Sequence, residues 1–136
     1  MKIVMLGSVN FAEKMLELKS QLIELGQDVY LSEIIESYVG MTEIDRRHIS
    51  VENKNKFDLI KYYFELIKKN DAIFVVNETK KGVEGYIGGN VLIEMGFAYV
   101  LNKKIFLLNN VPELSYSDEI KAMKPIVLNG DLSKIK

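Results

Sequence analysis

The sequence predicts a single-domain α/β protein with a doubly wound, five-stranded parallel sheet. Short apolar runs alternate along the chain with segments whose apolar residues recur at helical spacing. The runs are apolar almost throughout rather than at every second position, which is typical of strands covered on both faces. Together, these two observations favour parallel strands joined by helices that lie on both sides of the sheet.

The first half of the chain predicts two strands, a long helix and a polar excursion. The first strand is an apolar run that ends at a glycine, and the helix after it has apolar residues at helical spacing. The second strand is short, and the excursion after it is polar, with one short helix at residues 33–38. In order, these elements are predicted at residues 2–6, 12–25, 28–31 and 32–56.

The second half predicts three strands and three helices. The first of these helices has one apolar face, and the strand after it is apolar throughout. A glycine-rich loop then leads into a helix that is apolar on nearly every side. A last, short helix follows the loop that begins at Pro112. In order, these elements are predicted at residues 58–69, 72–76, 91–101, 104–108, 112–123 and 125–128.

Right-handed crossovers limit how these elements connect, and they favour the strand order 2-1-3-4-5 of flavodoxin-like and Rossmann-like folds. No internal repeat, low-complexity tract or linker interrupts the pattern. We therefore expect residues 1–136 to form one domain.

Composition narrows the possible functions. Net charge is −1 and the pI about 5.9, which provides no broad field for holding a nucleic-acid polymer. The chain has no cysteine and a single histidine, His48, so disulfides, thiolate catalysis and multi-histidine metal sites are excluded. We expect neither a metal nor a cofactor. No signal-peptide pattern follows Met1, and no apolar run approaches the ~18 residues of a membrane span. A cytoplasmic protein that does not bind membranes is expected.

Glu94 is the strongest candidate for a catalytic residue. It is the only charged residue between Asn90 and Leu101, in a helix predicted to be buried because it is apolar on nearly every side. A carboxylate there is costly unless it is paired, protonated or used. We expect Glu94 at the floor of the main crevice. The alternative is a helix-start carboxylate in a capping box from Asn90, although the spacing is one residue too long.

Ligands of doubly wound sheets bind beyond the carboxyl ends of the strands, where the strand order reverses. Two helix starts are predicted to meet there, which favours an anion or a polar sugar as ligand. The glycine fingerprint of dinucleotide-binding folds and the phosphate loop of NTPases are both absent, which disfavours those two classes. The residues expected at this edge are Gly7, Ser8, Asn10, Asn77, Glu78, Gly88, Gly89 and Asn90.

One motif carries a family resemblance. A glycine-containing loop leads into Glu94-Met95-Gly96-Phe97-Ala98, and a basic residue and an apolar strand follow. Together with the first strand that ends in Gly-Ser, this pattern resembles the nucleoside 2-deoxyribosyltransferase superfamily, including its 2'-deoxynucleoside 5'-monophosphate N-glycosidases.

The resemblance implies cleavage or exchange of the N-glycosidic bond of a 2'-deoxynucleoside or its 5'-monophosphate. It implies that Glu94 is the nucleophile that attacks the anomeric carbon, and that Ser8 contacts the sugar-phosphate side. It also implies that Lys121 of a neighbouring subunit stands where the family has a serine near the phosphate. The expected partner besides the nucleotide is therefore a second copy of the chain, in a homodimer or a larger homo-oligomer.

Three positions depart from the family pattern. Asn10 stands where the glycosidases have an arginine, and Tyr63 where the family has a second catalytic aspartate. Gly88 replaces an aspartate or serine that comes six residues before the glutamate. These departures leave an alternative open, a nucleotide-binding module that kept the crevice but not the catalysis.

The charged run from Asp45 to His48 allows two interpretations. Arg46 or Arg47 can clamp a phosphate in place of the missing arginine. The run can instead be a solvated loop face, which we favour because charged loop clusters are mostly exposed. His48 is expected to be structural or exposed.

The remaining candidates are aromatic and acidic. Tyr62, Tyr63 and Tyr86 can stack on a nucleobase; Tyr63 is more typical of a core residue, whereas Tyr86 lies in the glycine-rich loop. Asp118, with Glu119, can reach the site of a neighbouring subunit or stabilise the start of its own helix. Asp71 is expected at the far edge of the sheet and is not predicted to be catalytic.

Overall fold

The computed structural model describes residues 1–49 and 58–136, and it shows a five-stranded parallel sheet in the order β2-β1-β3-β4-β5. The predicted fold class and strand order are confirmed. Strand boundaries differ from the predictions by one residue at most, as for β2, which ends at Tyr30 instead of Leu31. The strands are β1 (Lys2–Gly7), β2 (Asp28–Tyr30), β3 (Ala72–Val76), β4 (Lys104–Leu107) and β5 (Ile126–Val127).

Helices connect the strands. Residues 43–49 are also helical, and short 3₁₀ turns lie at Val9–Phe11 and Leu132–Lys134. None of the described helices has both the length and the apolar character needed to cross a membrane. The helices are α1 (Ala12–Glu24), α2 (Glu33–Ser37), α3 (Leu59–Lys68), α4 (Gly89–Val100) and α5 (Ser117–Ala122).

The sheet separates two cores, because successive side chains of a strand point to opposite faces. In β3, Phe74 belongs to the core on the side of α1 and α2, whereas Ile73 and Val75 belong to the core on the side of α3, α4 and α5. All five side chains of β3 are buried. This double coverage explains why the central strands read as unbroken apolar runs.

The prediction that α4 is buried on all sides is wrong for the single chain. Val91, Met95 and Ala98 face the core, but Ile93 is 44% exposed and Val100 is 77% exposed. The reason is the layer to which α4 belongs. As an outer helix it has the sheet on one side and α3 on another, which leaves its remaining face without cover from the described residues.

Candidate functional site

A crevice of about 420 Å³ opens beyond the carboxyl ends of β1 and β3. The turn after β1 forms one wall, and the loop that leads into α4 forms another. The location agrees with the edge at which ligands of doubly wound sheets bind. The crevice brings together these residues expected from the sequence: Gly7, Ser8, Asn10, Tyr86, Gly88, Gly89 and Asn90.

A second, mostly apolar cavity of about 90 Å³ adjoins the crevice and contains Glu94. The two spaces share Gly7, Val9, Asn90 and Val91 in their walls. The remaining walls of the small cavity are mostly apolar, and they include Met5, Ile34, Ile35, Tyr38, Tyr63 and Phe97. The site therefore has a polar compartment and an apolar compartment, and the carboxylate belongs to the apolar one.

Glu94 is not a helix-start carboxylate. The N-cap of α4 is Gly88, the helix begins at Gly89, and the first turn contains no acidic residue. The capping interpretation is therefore wrong. Full burial is wrong as well, because the side chain of Glu94 is half-buried in the wall of the apolar cavity.

Tyr63 lines the same cavity as Glu94, at the position where the resemblance calls for an aspartate. It is half-buried, so its interpretation as a pure core residue is incomplete. Burial, and then the negative charge of Glu94, raises the pKa of Tyr63 well above its ordinary range. The hydroxyl of Tyr63 is therefore harder to ionise than that of an ordinary tyrosine.

The other tyrosines separate into two groups. Tyr86 lies in the wall of the crevice, as expected for a residue that contacts a ligand. Tyr62 lines neither cavity, and its hydroxyl is hydrogen-bonded to the hydroxyl of Tyr30. Burial and this hydrogen bond raise the pKa of Tyr30 to about 12. The arrangement offers Tyr86, and not Tyr62, as a stacking surface.

Lys80 and Lys81 line the crevice, and neither was predicted from the sequence. The ammonium group of Lys80 donates to Ser8 Oγ at 3.0 Å and lies 5.3 Å from the centre of the Tyr86 ring. That of Lys81 lies 6.0 Å from the same ring. The available signal was a pair of lysines before Gly82, in the loop that follows the central strand.

Asn77 was expected to face the crevice, and this expectation is wrong. Its side chain is fully buried and donates to the carbonyl oxygens of Asn109, Asn110 and Gly85 at 3.0, 3.1 and 3.3 Å. Its side-chain oxygen, Oδ1, accepts the backbone N–H of Asn109 at 2.9 Å. Asn77 therefore ties the ends of β3 and β4 to the glycine-rich loop.

Arg46 is a buried structural residue, which corrects the interpretation of its segment as a solvated charge run. It is only 6% exposed and donates to the carbonyl oxygens of Val9 and Met41 at 2.8 and 3.1 Å. Its guanidinium group also donates to Glu13 Oε1 at 2.5 Å. These bonds hold the helical residues 43–49 against the turn after β1. The next residue, Arg47, is exposed and lines the crevice.

Asp118 and Lys121 are exposed on α5 and line neither cavity of their own chain. A contact with the site of a neighbouring subunit stays a prediction. Asp118 and Glu119 do occupy the first turn of α5, as the helix-start interpretation expects.

Asp71 lies exposed before β3 and accepts the N–H of Lys2 at 2.8 Å, at the edge opposite the crevice. No cluster of three or more acidic or histidine side chains in the described residues is arranged for a metal ion.

The chain matches no known family model, no curated protein and no solved structure. The comparisons therefore assign no family. Inference about function depends on the side chains that surround the two cavities.

Two glycines of this region should respond oppositely to alanine. Gly85 has a φ of +69°, and an added Cβ would lie 2.4 Å from the carbonyl oxygen of Asn110. We expect Gly85→Ala to lower the free energy of unfolding by about 2 kcal/mol or more. An added Cβ at Gly89 meets no described atom within 4 Å, so Gly89→Ala should leave stability unchanged or raise it by up to about 1 kcal/mol. Urea unfolding followed by circular dichroism measures both, and equal losses would contradict this account.

The contact between Arg46 and Glu13 should make stability depend on pH. The hydrogen bond from Arg46 is the main reason that the pKa of Glu13 lies below its ordinary value of 4.5. A group whose pKa is lowered by folding stabilises the fold at pH values above its pKa in the unfolded chain. This stabilisation is lost as the pH falls through the pKa of the group in the folded protein. Because Glu13 is exposed to solvent while Arg46 keeps two carbonyl partners, we expect Glu13→Gln to cost only about 1–2 kcal/mol at neutral pH.

The measurement is urea unfolding of wild type and Glu13→Gln at pH 7 and at pH 3. The difference between the two proteins should shrink at the lower pH. Glu17→Gln is the matched control, since its ion pair with Lys14 is exposed and 4.0 Å long. A control that loses as much stability as Glu13→Gln would show that the contact with Arg46 is not special.

Proposed function

We propose that this protein cleaves or exchanges the N-glycosidic bond of a 2'-deoxynucleoside or its 5'-monophosphate, with Glu94 as nucleophile. The observation that carries the proposal is the position of Glu94, in an apolar cavity that adjoins a polar crevice lined by cations. A nucleotide has the same division, with an apolar base at one end and an anion at the other. The bond between base and sugar would then lie near the carboxylate.

The chemistry requires a negatively charged group beside the anomeric carbon, which becomes positive during the reaction. As the bond to the base breaks, the base leaves with the electron pair, and the sugar becomes similar to an oxocarbenium ion. The carboxylate of Glu94 stabilises this positive charge and then forms an ester with the anomeric carbon. Water or a second base completes the reaction by displacing Glu94 from the sugar. Partial enclosure of Glu94 by apolar walls strengthens its interaction with the developing charge.

A second candidate function is binding of a nucleotide without cleavage. The observation that favours it is Tyr63, which stands beside Glu94 where the family has an aspartate. A tyrosine at this position leaves the site without the second catalytic carboxyl group that the resemblance implies. Under this alternative, the crevice and the apolar cavity hold the ligand, and Glu94 only contacts it.

We also propose that the protein acts as a homodimer or larger homo-oligomer in the cytoplasm, where nucleotides are metabolised. Apolar side chains stay exposed on α3 and α4 in the single chain, and burial of such a surface favours association. They are Ile60, Tyr62, Ile93, Tyr99 and Val100. Light scattering at micromolar concentration tests the assembly, and a monomeric mass would remove this part of the proposal.

Glu94→Gln should abolish release of base while the fold is kept. The amide has the shape of the carboxylate but neither its charge nor its nucleophilicity, so we expect a loss of about a thousandfold or more. Glu94→Ala should lose about as much. The measurement is chromatography of free base released from a panel of deoxynucleosides and their monophosphates.

The matched control is Glu65→Gln, a substitution at an exposed position on α3 that lines neither cavity. It should turn over at the wild-type rate. Turnover of Glu94→Gln at the wild-type rate would remove Glu94 from the mechanism. A wild-type protein that binds the panel but releases no base from any member would support the binding module instead.

A further inference from the structure

We infer that Arg47, Lys80 and Lys81 form a clamp for the phosphate of a nucleoside 5'-monophosphate, and that the clamp is complete within one chain. The identity of the ligand as a nucleotide depends on the proposed function, whereas the anion site stands on its own geometry. The inference differs from the expectation that Lys121 of a neighbouring subunit provides the charge.

The first support is the balance of charge around the crevice. Its described walls hold three cationic side chains, Arg47, Lys80 and Lys81, and one acidic side chain, Glu43. The start of α4 adds a partial positive charge, and its N-cap residue, Gly88, has no side chain that could bond to the free N–H groups. A phosphate monoester carries about −1.5 to −2 charges at neutral pH, opposite in sign to most of these groups.

The second support is the backbone of the turn that carries the lysines. Lys80 and Val83 exchange two backbone hydrogen bonds of 3.1 and 2.9 Å. Between them, Lys81 and Gly82 have φ angles of +52° and +74°, as in a type I′ turn. Such turns favour asparagine followed by glycine, and a lysine at the first central position is strained by its left-handed backbone. The turn itself gains nothing from Lys81, but the crevice gains a cation.

The third support is the arrangement of the lysine side chains before any ligand binds. The Tyr86 ring lies 5.3 Å from the ammonium group of Lys80 and 6.0 Å from that of Lys81. The face of the ring carries a partial negative charge, so each ammonium group is weakly attracted to it. Lys80 also donates to Ser8 Oγ at 3.0 Å. These contacts lower the entropy that would be lost when a phosphate orders the two side chains.

The fourth support is the open space at Gly89. A side chain there would meet no described atom within 4 Å, so the described structure gives no steric reason for a glycine. A ligand that approaches the N–H groups at the helix start does provide a reason, because only glycine lets it come close to the backbone. Gly89 lines the crevice together with Tyr86.

The test is calorimetric titration of inorganic phosphate, a deoxynucleoside and its 5'-monophosphate into wild type and variants. Lys81→Asn removes the cation but suits the left-handed backbone, so the variant should fold at least as stably as wild type. We expect its affinity for phosphate and for the monophosphate to fall about tenfold or more, since the variant loses a charge-assisted hydrogen bond to the phosphate. Affinity for the deoxynucleoside should stay unchanged.

Two other substitutions sharpen the result. Lys124→Asn is the matched control, because Lys124 is an exposed lysine with a φ of +53° that lines neither cavity. It should leave all three affinities unchanged. Lys121→Asn tests the competing source of charge, and it should not weaken binding of the monophosphate. In wild type, affinity for phosphate should fall steeply as salt is added, whereas affinity for the deoxynucleoside should not.

The clamp is overturned if wild type binds neither phosphate nor the monophosphate, or if Lys81→Asn binds both as tightly as wild type. If Lys121→Asn lowers affinity for the monophosphate as much as Lys81→Asn does, the inference that one chain provides the whole clamp is overturned. Failure of the proposed function gives a different result. In that case Lys81→Asn still loses affinity for phosphate, but wild type releases no base.

Discussion

The buried amide of Asn77 is the contact on which the geometry of the crevice depends. One side chain fixes the end of β3 to the backbone of Asn109 and Asn110 after β4, and to Gly85 in the glycine-rich loop. The loop between Asn77 and Gly88 provides Lys80, Lys81 and Tyr86 and then starts α4. A fully buried amide that lost these partners would leave several polar groups unsatisfied, at about 1–3 kcal/mol each. The crevice residues of this loop and the start of α4 therefore depend on the same anchor.

A second anchor positions the opposite wall. Arg46 is buried and bonded to the carbonyl oxygens of Val9 and Met41, so the helical residues 43–49 are held next to the turn after β1. Arg47 and Glu43 belong to this segment and line the crevice. Neighbouring arginines therefore have different surroundings: Arg46 makes contacts within the protein, while Arg47 is exposed in the wall of the crevice.

The fold was predictable from the sequence because the information for it is local. Apolar runs and helical spacing locate the strands and helices, and the rules for parallel crossovers supply the order of the strands. The loops that end at the carboxyl edge of the sheet, such as those with Ser8 and Gly88, could be placed at the crevice for the same reason. Glu94 could be singled out because a lone charge in an apolar helix is visible in the sequence.

What could not be predicted depends on contacts between distant segments. The burial of Arg46 requires the carbonyl oxygen of Val9, and the burial of Asn77 requires the chain after β4. Neither contact leaves a local pattern. The exposure of Val100 likewise depends on which face of α4 the sheet covers, and hydrophobicity alone does not show this. Lys81 was missed because lysine is not a residue that turn statistics favour at a positive φ.

The positive φ of Lys81 occurs in a different structural setting from that of the other described non-glycine residues with a positive φ. Among the described residues, the other non-glycine positions with positive φ are Asp58, Asn102, Lys124 and Asn129. Asp58 caps α3, Asn102 and Lys124 follow the ends of α4 and α5, and Asn129 follows β5, so each ends or begins a regular element. Such positions often need a left-handed residue to satisfy the free groups at a helix end or to reverse the chain. Of the five, only Lys81 lines the crevice. Its strain therefore lies where an anion would be bound, and not where a helix must be ended.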